Sequence, residues 1–172
     1  MIIYSQAFDY YHAVYRMVRI LTRFKRDNFL ELDRLRIWDF YLLFPNQVHS
    51  ITLKKGDDEI RKLRKRFIKE KDNPYNSVFD NRKVFEKLKP YQLTAIHCLA
   101  SYGIIDNTLL KENRVSIISD SLLREYDGKF EELSYTEQNV IALMTLHFST
   151  ISLFGPDGLK SRTKLMVSKY DT

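Results

Sequence analysis

One stretch of the chain is apolar at nearly every position. Residues 37–44, read IWDFYLLF, contain a single polar residue, Asp39. A helix with one solvent-facing side, or a strand buried on one face, would carry polar residues at regular intervals. The segment Leu32–Pro45 is therefore predicted to be a buried helix that ends at its proline, with Trp38 and Phe40 near the centre of the core.

The first helix is predicted to begin after Ser5, which can cap it, and to run to about Phe24. Its apolar positions fall on one side, and its basic positions recur at helical spacing on another. Those basic positions form the first basic stripe, made of Arg16, Arg19, Arg23 and Arg26. A stripe of this kind is either a solvated helix face or a contact for nucleic acid or a protein partner, and the sequence leaves both interpretations open.

Another helix is predicted to begin at the acidic residues 57–59 and to continue into a strongly basic segment. Acidic residues first and basic residues later is the order that the helix dipole favours. Between Lys54 and Lys71 there are nine Lys or Arg against four Asp or Glu, so this segment carries most of the formal net charge of +6. The second basic stripe comprises Arg61, Lys62, Arg64, Lys65, Arg66 and Lys69. A thin apolar stripe places this helix on the surface, where the basic stripe is either solvated or meets DNA or an acidic partner.

Short strands are predicted at residues 47–53 (QVHSITL) and 114–119 (RVSIIS), and 114–119 could pair with 51–53. Pro90 is predicted to interrupt a helix, and the following segment 91–106 (YQLTAIHCLASYGIID) forms another helix that ends near its glycine. A helix, a turn, a short helix and a strand in this order occur in part of a winged-helix unit. Further along, Ser134 and Glu137 form a capping box that opens a helix to about Leu153.

The predicted fold is α+β and predominantly α-helical, with a partial winged-helix-like unit and a small two-stranded sheet. A length of 172 residues with 44% hydrophobic residues predicts a single domain over residues 1–172. Only five Gly and four Pro favour long helices over a turn-rich β fold. The lone Cys98 excludes an internal disulfide, and neither a signal peptide nor a membrane span is evident, so we expect a cytoplasmic protein.

Candidate chemistry is sparse. The four histidines lack metal-ligand spacing, and His97 and His147 lie in apolar helix patterns typical of core residues. Asp33 and Asp39 could suggest a catalytic carboxylate pair, but Arg36 lies between them and can pair with both along one edge of the helix. There is no Gly-rich phosphate loop and no nucleophile motif. We therefore expect no enzyme activity, no metal and no cofactor.

Three segments carry a family resemblance: FDYYHAVYRMVRIL, LDRLRIWDFYLLFP and QLTAIHCLASYGIID. Together they resemble the middle-component proteins of bacterial ABC-three-component conflict systems, a group related to the small subunit of Lamassu-type antiphage defence. The resemblance implies a non-catalytic accessory or adaptor subunit in antiphage or anti-plasmid defence. It also implies binding to the head or neck of an SMC-like or Rad50-like ABC ATPase, an effector subunit in the same system, and a position near double-stranded DNA.

A stand-alone winged-helix DNA-binding regulator is the alternative function. Such a regulator would form a symmetric dimer and protect a short palindrome, whereas an adaptor would co-purify with a large ATPase. A small enzyme is a third class, which the lack of any site motif disfavours.

Overall fold

The computed structural model of the protein describes residues 5–24, 29–70 and 80–166. These residues confirm a predominantly helical α+β fold with a small two-stranded sheet. The α-helices are α1 (Tyr10–Arg23), α2 (Leu32–Leu43), α3 (Asp58–Phe67), α4 (Asn81–Ser101), α5 (Asn107–Lys111), α6 (Asp120–Asp127), α7 (Tyr135–Ala142) and α8 (Leu159–Thr163). The strands are β1 (Leu30–Glu31) and β2 (Arg114–Val115); 3-10 helices span Gln6–Phe8, Pro45–Ser50 and Phe148–Thr150, and a π turn spans Leu143–His147.

By its contacts, the chain groups into two compact units. The first takes in residues 1–39 and 87–132, and the second takes in residues 40–86 and 133–172. The sequence predicted one domain, and that stays a prediction.

Helix α2 confirms the prediction of a buried central helix. Trp38 and Phe40 are fully buried, and the Trp38 ring meets Phe24 edge-on with ring centroids 5.1 Å apart. The α-helix ends at Leu43, and Pro45 is the first residue of a 3-10 helix. Proline is tolerated there because its fixed φ suits a helix and the first residue needs no N–H donor. The dense apolar run therefore forms core, as its pattern required.

The small sheet pairs different segments from those predicted. Strand β2 lies antiparallel to β1, with Leu30 opposite Val115 and Glu31 opposite Arg114. The predicted strand at 47–53 is wrong, because its first part belongs to the 3-10 helix, and the predicted pairing of 114–119 with 51–53 is wrong with it. Alternation in a short β-branched stretch does not specify a partner strand, and here the partner of β2 is β1, directly before α2. The winged-helix interpretation stays a prediction.

Helix α4 runs without a break through Pro90, against the predicted interruption. A proline inside a helix leaves the carbonyl four residues earlier, here that of Glu86, without its usual donor. Both Glu86 and Pro90 are exposed, so water can solvate that carbonyl. Buried Phe85 and Leu88 precede the proline, and Ile96 anchors the helix after it, which offsets the local cost.

The predicted helix starts are partly confirmed. Asp9, not Ser5, caps α1, because its carboxylate accepts the N–H of His12 at 2.9 Å. The capping box of Ser134 and Glu137 is confirmed at the start of α7. The helix that it opens does not continue as a regular α-helix to Leu153, since the backbone widens into the π turn directly after Ala142.

Candidate functional site

In the first unit, residues that the sequence assigned to separate features belong to one buried polar network. Arg16 binds Asp39 with both ends of its guanidinium, at 2.6 Å from Nε and 3.2 Å from NH2. Gln92 donates from Nε2 to Asp39 Oδ2 at 2.9 Å, the oxygen that also accepts from Arg16 NH2, and to the backbone carbonyl of Arg36 at 3.0 Å. Arg36 in turn donates from Nε to Gln92 Oε1 at 3.0 Å. A buried ion pair is tolerated only when its remaining hydrogen-bonding capacity is met, as it is for this carboxylate.

The predicted seam along α2 forms only in part. Arg36 pairs with Asp33 at 3.2 Å, but Asp39 turns to Arg16 and Gln92 instead of Arg36. The three charges therefore do not form one chain along a single helix edge. Because Asp39 is fully buried and already accepts from two side chains, it and Asp33 do not form a working carboxylate pair.

A second cluster joins α1 to α6. Arg19 and Arg23 both donate to Asp127, at 2.9 Å and 3.0 Å to Oδ1. Arg19 also donates to the carbonyl of Glu131, and its guanidinium lies 5.1 Å from the ring centroid of Tyr15. Burial alone would raise the pKa of the Asp127 carboxyl, but hydrogen bonds and positive charge from the two arginines outweigh it and hold that pKa below its usual value.

The first basic stripe is therefore largely internal. Arg16 and Arg19 are only 4% and 3% exposed, so the solvated-face interpretation is wrong for both. Arg23 is partly exposed but engaged with Asp127. Arg26 lies outside the residues that the structure describes. No observation tests whether these residues contact DNA or a partner, and that stays a prediction.

In the second unit, Arg64 of the second basic stripe has a structural role. Its NH1 donates to three backbone carbonyls at the end of the Pro45–Ser50 helix, those of Val48, His49 and Ile51, at 3.1 to 3.3 Å. The His49 ring lies 2.7 Å from the carbonyl oxygen of Ile68 through Nε2. These contacts engage carbonyls near the ends of the Pro45–Ser50 helix and of α3, and they hold α3 beside the preceding segment.

The other members of the second basic stripe are exposed. Arg61 pairs with Asp58 one turn earlier, whereas Lys62, Lys65, Arg66 and Lys69 extend along the surface. Lys62 and Lys65 are three positions apart on α3, and Lys69 follows just after the helix ends. We call Lys62, Lys65 and Lys69 the exposed lysine face.

An apolar groove lies between α3 and the π turn. It has a volume of about 210 Å³ and lies entirely in the second unit. One wall consists of Leu63, Phe67 and Ile68, and the other consists of Asn139, Ala142, Leu143, Leu146 and His147. On the α3 side, the thin apolar stripe that the sequence showed supplies the wall.

Sequence reasoning missed several features that build these sites. Gln92 is fully buried, and no pattern of polar residues in the sequence indicated this. His97 on the same helix was predicted to point into the core, but it is exposed. His147 is half-buried in the groove wall instead of the core. The π turn also had no signal in the sequence, although such turns recur at functional sites.

Within residues 5–24, 29–70 and 80–166, no group of three His, Cys, Asp or Glu side chains is arranged to hold a metal ion. None of the helices described in those ranges combines the length and apolar character needed to cross a membrane.

The chain matches a known protein family. A family model described as ABC-three component (ABC-3C) system Middle Component 5 matches residues 2–171. No curated protein and no solved structure matches the chain.

Proposed function

The chain belongs to the ABC-3C system Middle Component 5 family, and on that premise we propose that it is a non-catalytic adaptor that binds the SMC-like or Rad50-like ABC ATPase of its system in the cytoplasm. Family membership implies association with other ABC-3C components. The match over residues 2–171 carries the proposal, because it covers both compact units and not one of them alone. A role in antiphage or anti-plasmid defence, an effector as third partner and kinship with Lamassu-type defence belong to the same proposal.

Side-chain engagement supports a non-catalytic role. A general acid or base must be able to reach a substrate proton. The buried carboxylate of Asp39 is taken up by Arg16 and Gln92, and Asp127 accepts from two arginines. Both of these acidic groups thus hold the fold together.

We place DNA, if the assembled complex binds it, along the exposed lysine face. Lys62 and Lys65 lie on α3 and Lys69 follows its end, and exposed lysines spaced in this way can follow a phosphate backbone without reading bases. Because Arg16 and Arg19 are buried, the first basic stripe is less able to contact a phosphate backbone. Binding through this face would be independent of sequence and would weaken steeply with added salt.

Co-expression tests the proposal. The tagged chain is produced with the ABC ATPase encoded beside it, and the complex is isolated by affinity and size-exclusion chromatography. We expect a stable complex, ATP hydrolysis that requires the ATPase subunit, and no ATP hydrolysis or DNA cleavage by the isolated chain. Turnover by the chain alone, or a symmetric dimer that protects a palindrome and ignores the ATPase, would overturn the proposal and favour an enzyme or the winged-helix regulator.

A further inference from the structure

The apolar groove of the second unit has the character of a protein-docking site. Phe67 and Leu146 contribute to opposite walls, yet their side chains are 44% and 68% exposed. Covering apolar side chains that stand in water gains about 25 cal/mol for each Å² removed from solvent. The volume of about 210 Å³ is below the roughly 300–1,000 Å³ of small-molecule pockets and suits one or two apolar side chains of a partner.

The exposed surface continues beyond the groove along α7. Tyr135, Asn139, Ala142 and Leu146 follow one another at intervals of three or four residues, so they share one side of α7 and its continuation. Tyr135 is 85% exposed at the far end of this row. A partner helix laid along the row would present apolar residues at the same spacing and would cover Tyr135 as well as the groove.

The two walls differ in charge. From Gln138 to Pro156 the chain contains no Asp, Glu, Lys or Arg, so the wall of α7 and the π turn is neutral. Helix α3, which supplies most of the opposite wall, is basic in its second half, and the Arg66 guanidinium lies over the Phe67 ring at 5.1 Å from its centroid. A segment that fits both walls therefore has an apolar face and carboxylates along the edge that meets Arg66.

We propose that this groove docks an amphipathic helix with an acidic edge from another component of the same ABC-3C complex, an inference that rests on the proposed adaptor function. Leucine-like side chains of the partner fill the space between Phe67 and Leu146, and its carboxylates pair with Arg66. A second copy of this chain fits less well. A two-fold contact brings the same surface of both copies together, and that surface offers Arg66 only a neutral wall or the basic half of another α3. DNA fits the exposed lysine face, but it cannot satisfy an apolar groove.

Paired substitutions in the full chain test the apolar and the charged half of the inference. Leu146→Asp introduces a charge into the groove, and Ile118→Asp is its control, since Ile118 is 59% exposed and lies in the first unit. Arg66→Glu reverses the rim charge, and Arg82→Glu makes the same change at an exposed position of α4. We expect both groove variants to weaken binding of the co-expressed component at least about tenfold, and both controls to stay within about twofold of wild type. Thermal melting of each isolated variant checks that it remains folded.

Crosslinking identifies the occupant. A photoreactive phenylalanine analogue at position 146 is irradiated in the purified complex, and the crosslinked peptide is sequenced by mass spectrometry. We expect a peptide from another component that is apolar at every third or fourth position and carries acidic residues. A crosslink to DNA, to this chain itself or to a second copy would overturn the inference, as would equal binding by groove and control variants. If wild-type chain forms no complex at all, the proposed function fails; if all variants assemble normally, only the groove assignment fails.

Discussion

Arg16 and Asp39 form a bidentate ion pair across 23 positions of sequence, with the shorter of the two hydrogen bonds at 2.6 Å. Both side chains are almost completely buried, and Gln92 adds a third hydrogen bond to the carboxylate, at Oδ2. The pair joins α1 to α2 in the interior of the first unit, so an arginine that the sequence places on a basic stripe contributes to the core.

Breaking the ion pair between Arg16 and Asp39 should lower the stability of the fold. Asp39→Asn leaves the guanidinium of Arg16 buried without its counter-charge, and we expect a loss of about 3–5 kcal/mol in the free energy of unfolding. Replacing both residues by apolar ones, as in Arg16→Met with Asp39→Leu, should cost less than Asp39→Asn alone, because no uncompensated charge remains. Urea denaturation of the three proteins measures this order. A double variant less stable than the single one would contradict it.

Trp38 should be among the most sensitive apolar positions. It is fully buried against Phe24, so Trp38→Ala is expected to destabilise the chain by about 3–5 kcal/mol and to reduce soluble expression. Tyr11→Ala is the matched aromatic control, because Tyr11 is 87% exposed and should change stability by less than about 0.5 kcal/mol. Equal melting temperatures for wild type and Trp38→Ala would show that Trp38 does not support the core.

Asp127 should make stability depend on acidic pH. Its folded-state pKa is held below the ordinary value of 3.8, so the folded protein binds fewer protons there than the unfolded chain does. The stability from its bonds to Arg19 and Arg23 is present above about pH 4 and is lost as pH falls through the lower folded pKa. Asp127→Asn should therefore be about 1–3 kcal/mol less stable than wild type at pH 7, with a gap that narrows in acid. Asp120→Asn, which keeps this cluster, is the control, and a gap that stays constant down to about pH 2 would refute the assignment.

DNA binding by the assembled complex should depend on the exposed lysine face. Changing Lys62, Lys65 and Lys69 together to Glu is expected to weaken binding to all duplex sequences alike and to flatten the salt dependence by about one unit of slope for each phosphate that is no longer neutralised. Lys87, Lys89 and Lys111 are exposed elsewhere, so changing them to Glu alters the net charge equally and serves as the control. The measurement is the apparent affinity across a series of salt concentrations. Indistinguishable slopes for the two triple variants would remove α3 from the DNA path.

Several features of this protein follow from local pattern and density along the chain alone. The apolar run in Leu32–Pro45 had to be buried, because too few polar side chains were available to face water. The capping box at Ser134 and Glu137 involves residues three apart, and the acid-first order of α3 complements its own dipole. The resemblance to ABC-3C middle components rested on the same helical patterns, and the family match confirms it.

Which charged residues lie at the surface and which lie in the core depends on the three-dimensional fold. Helical spacing groups Arg16, Arg19 and Arg23 on one side of α1, but it does not show that Asp39 and Asp127, 23 and 108 positions away from Arg16 and Arg19, cover that side. Likewise Pro90 is tolerated within α4, because water can reach the carbonyl that lacks a donor. Residues 47–53 do not form the predicted strand, because hydrogen bonds from Arg64 outweigh the local strand preference. The groove also needs α3 and the π turn to lie side by side. Burial of Arg16 and Arg19 depends on partners that are distant in sequence, which a local pattern cannot supply.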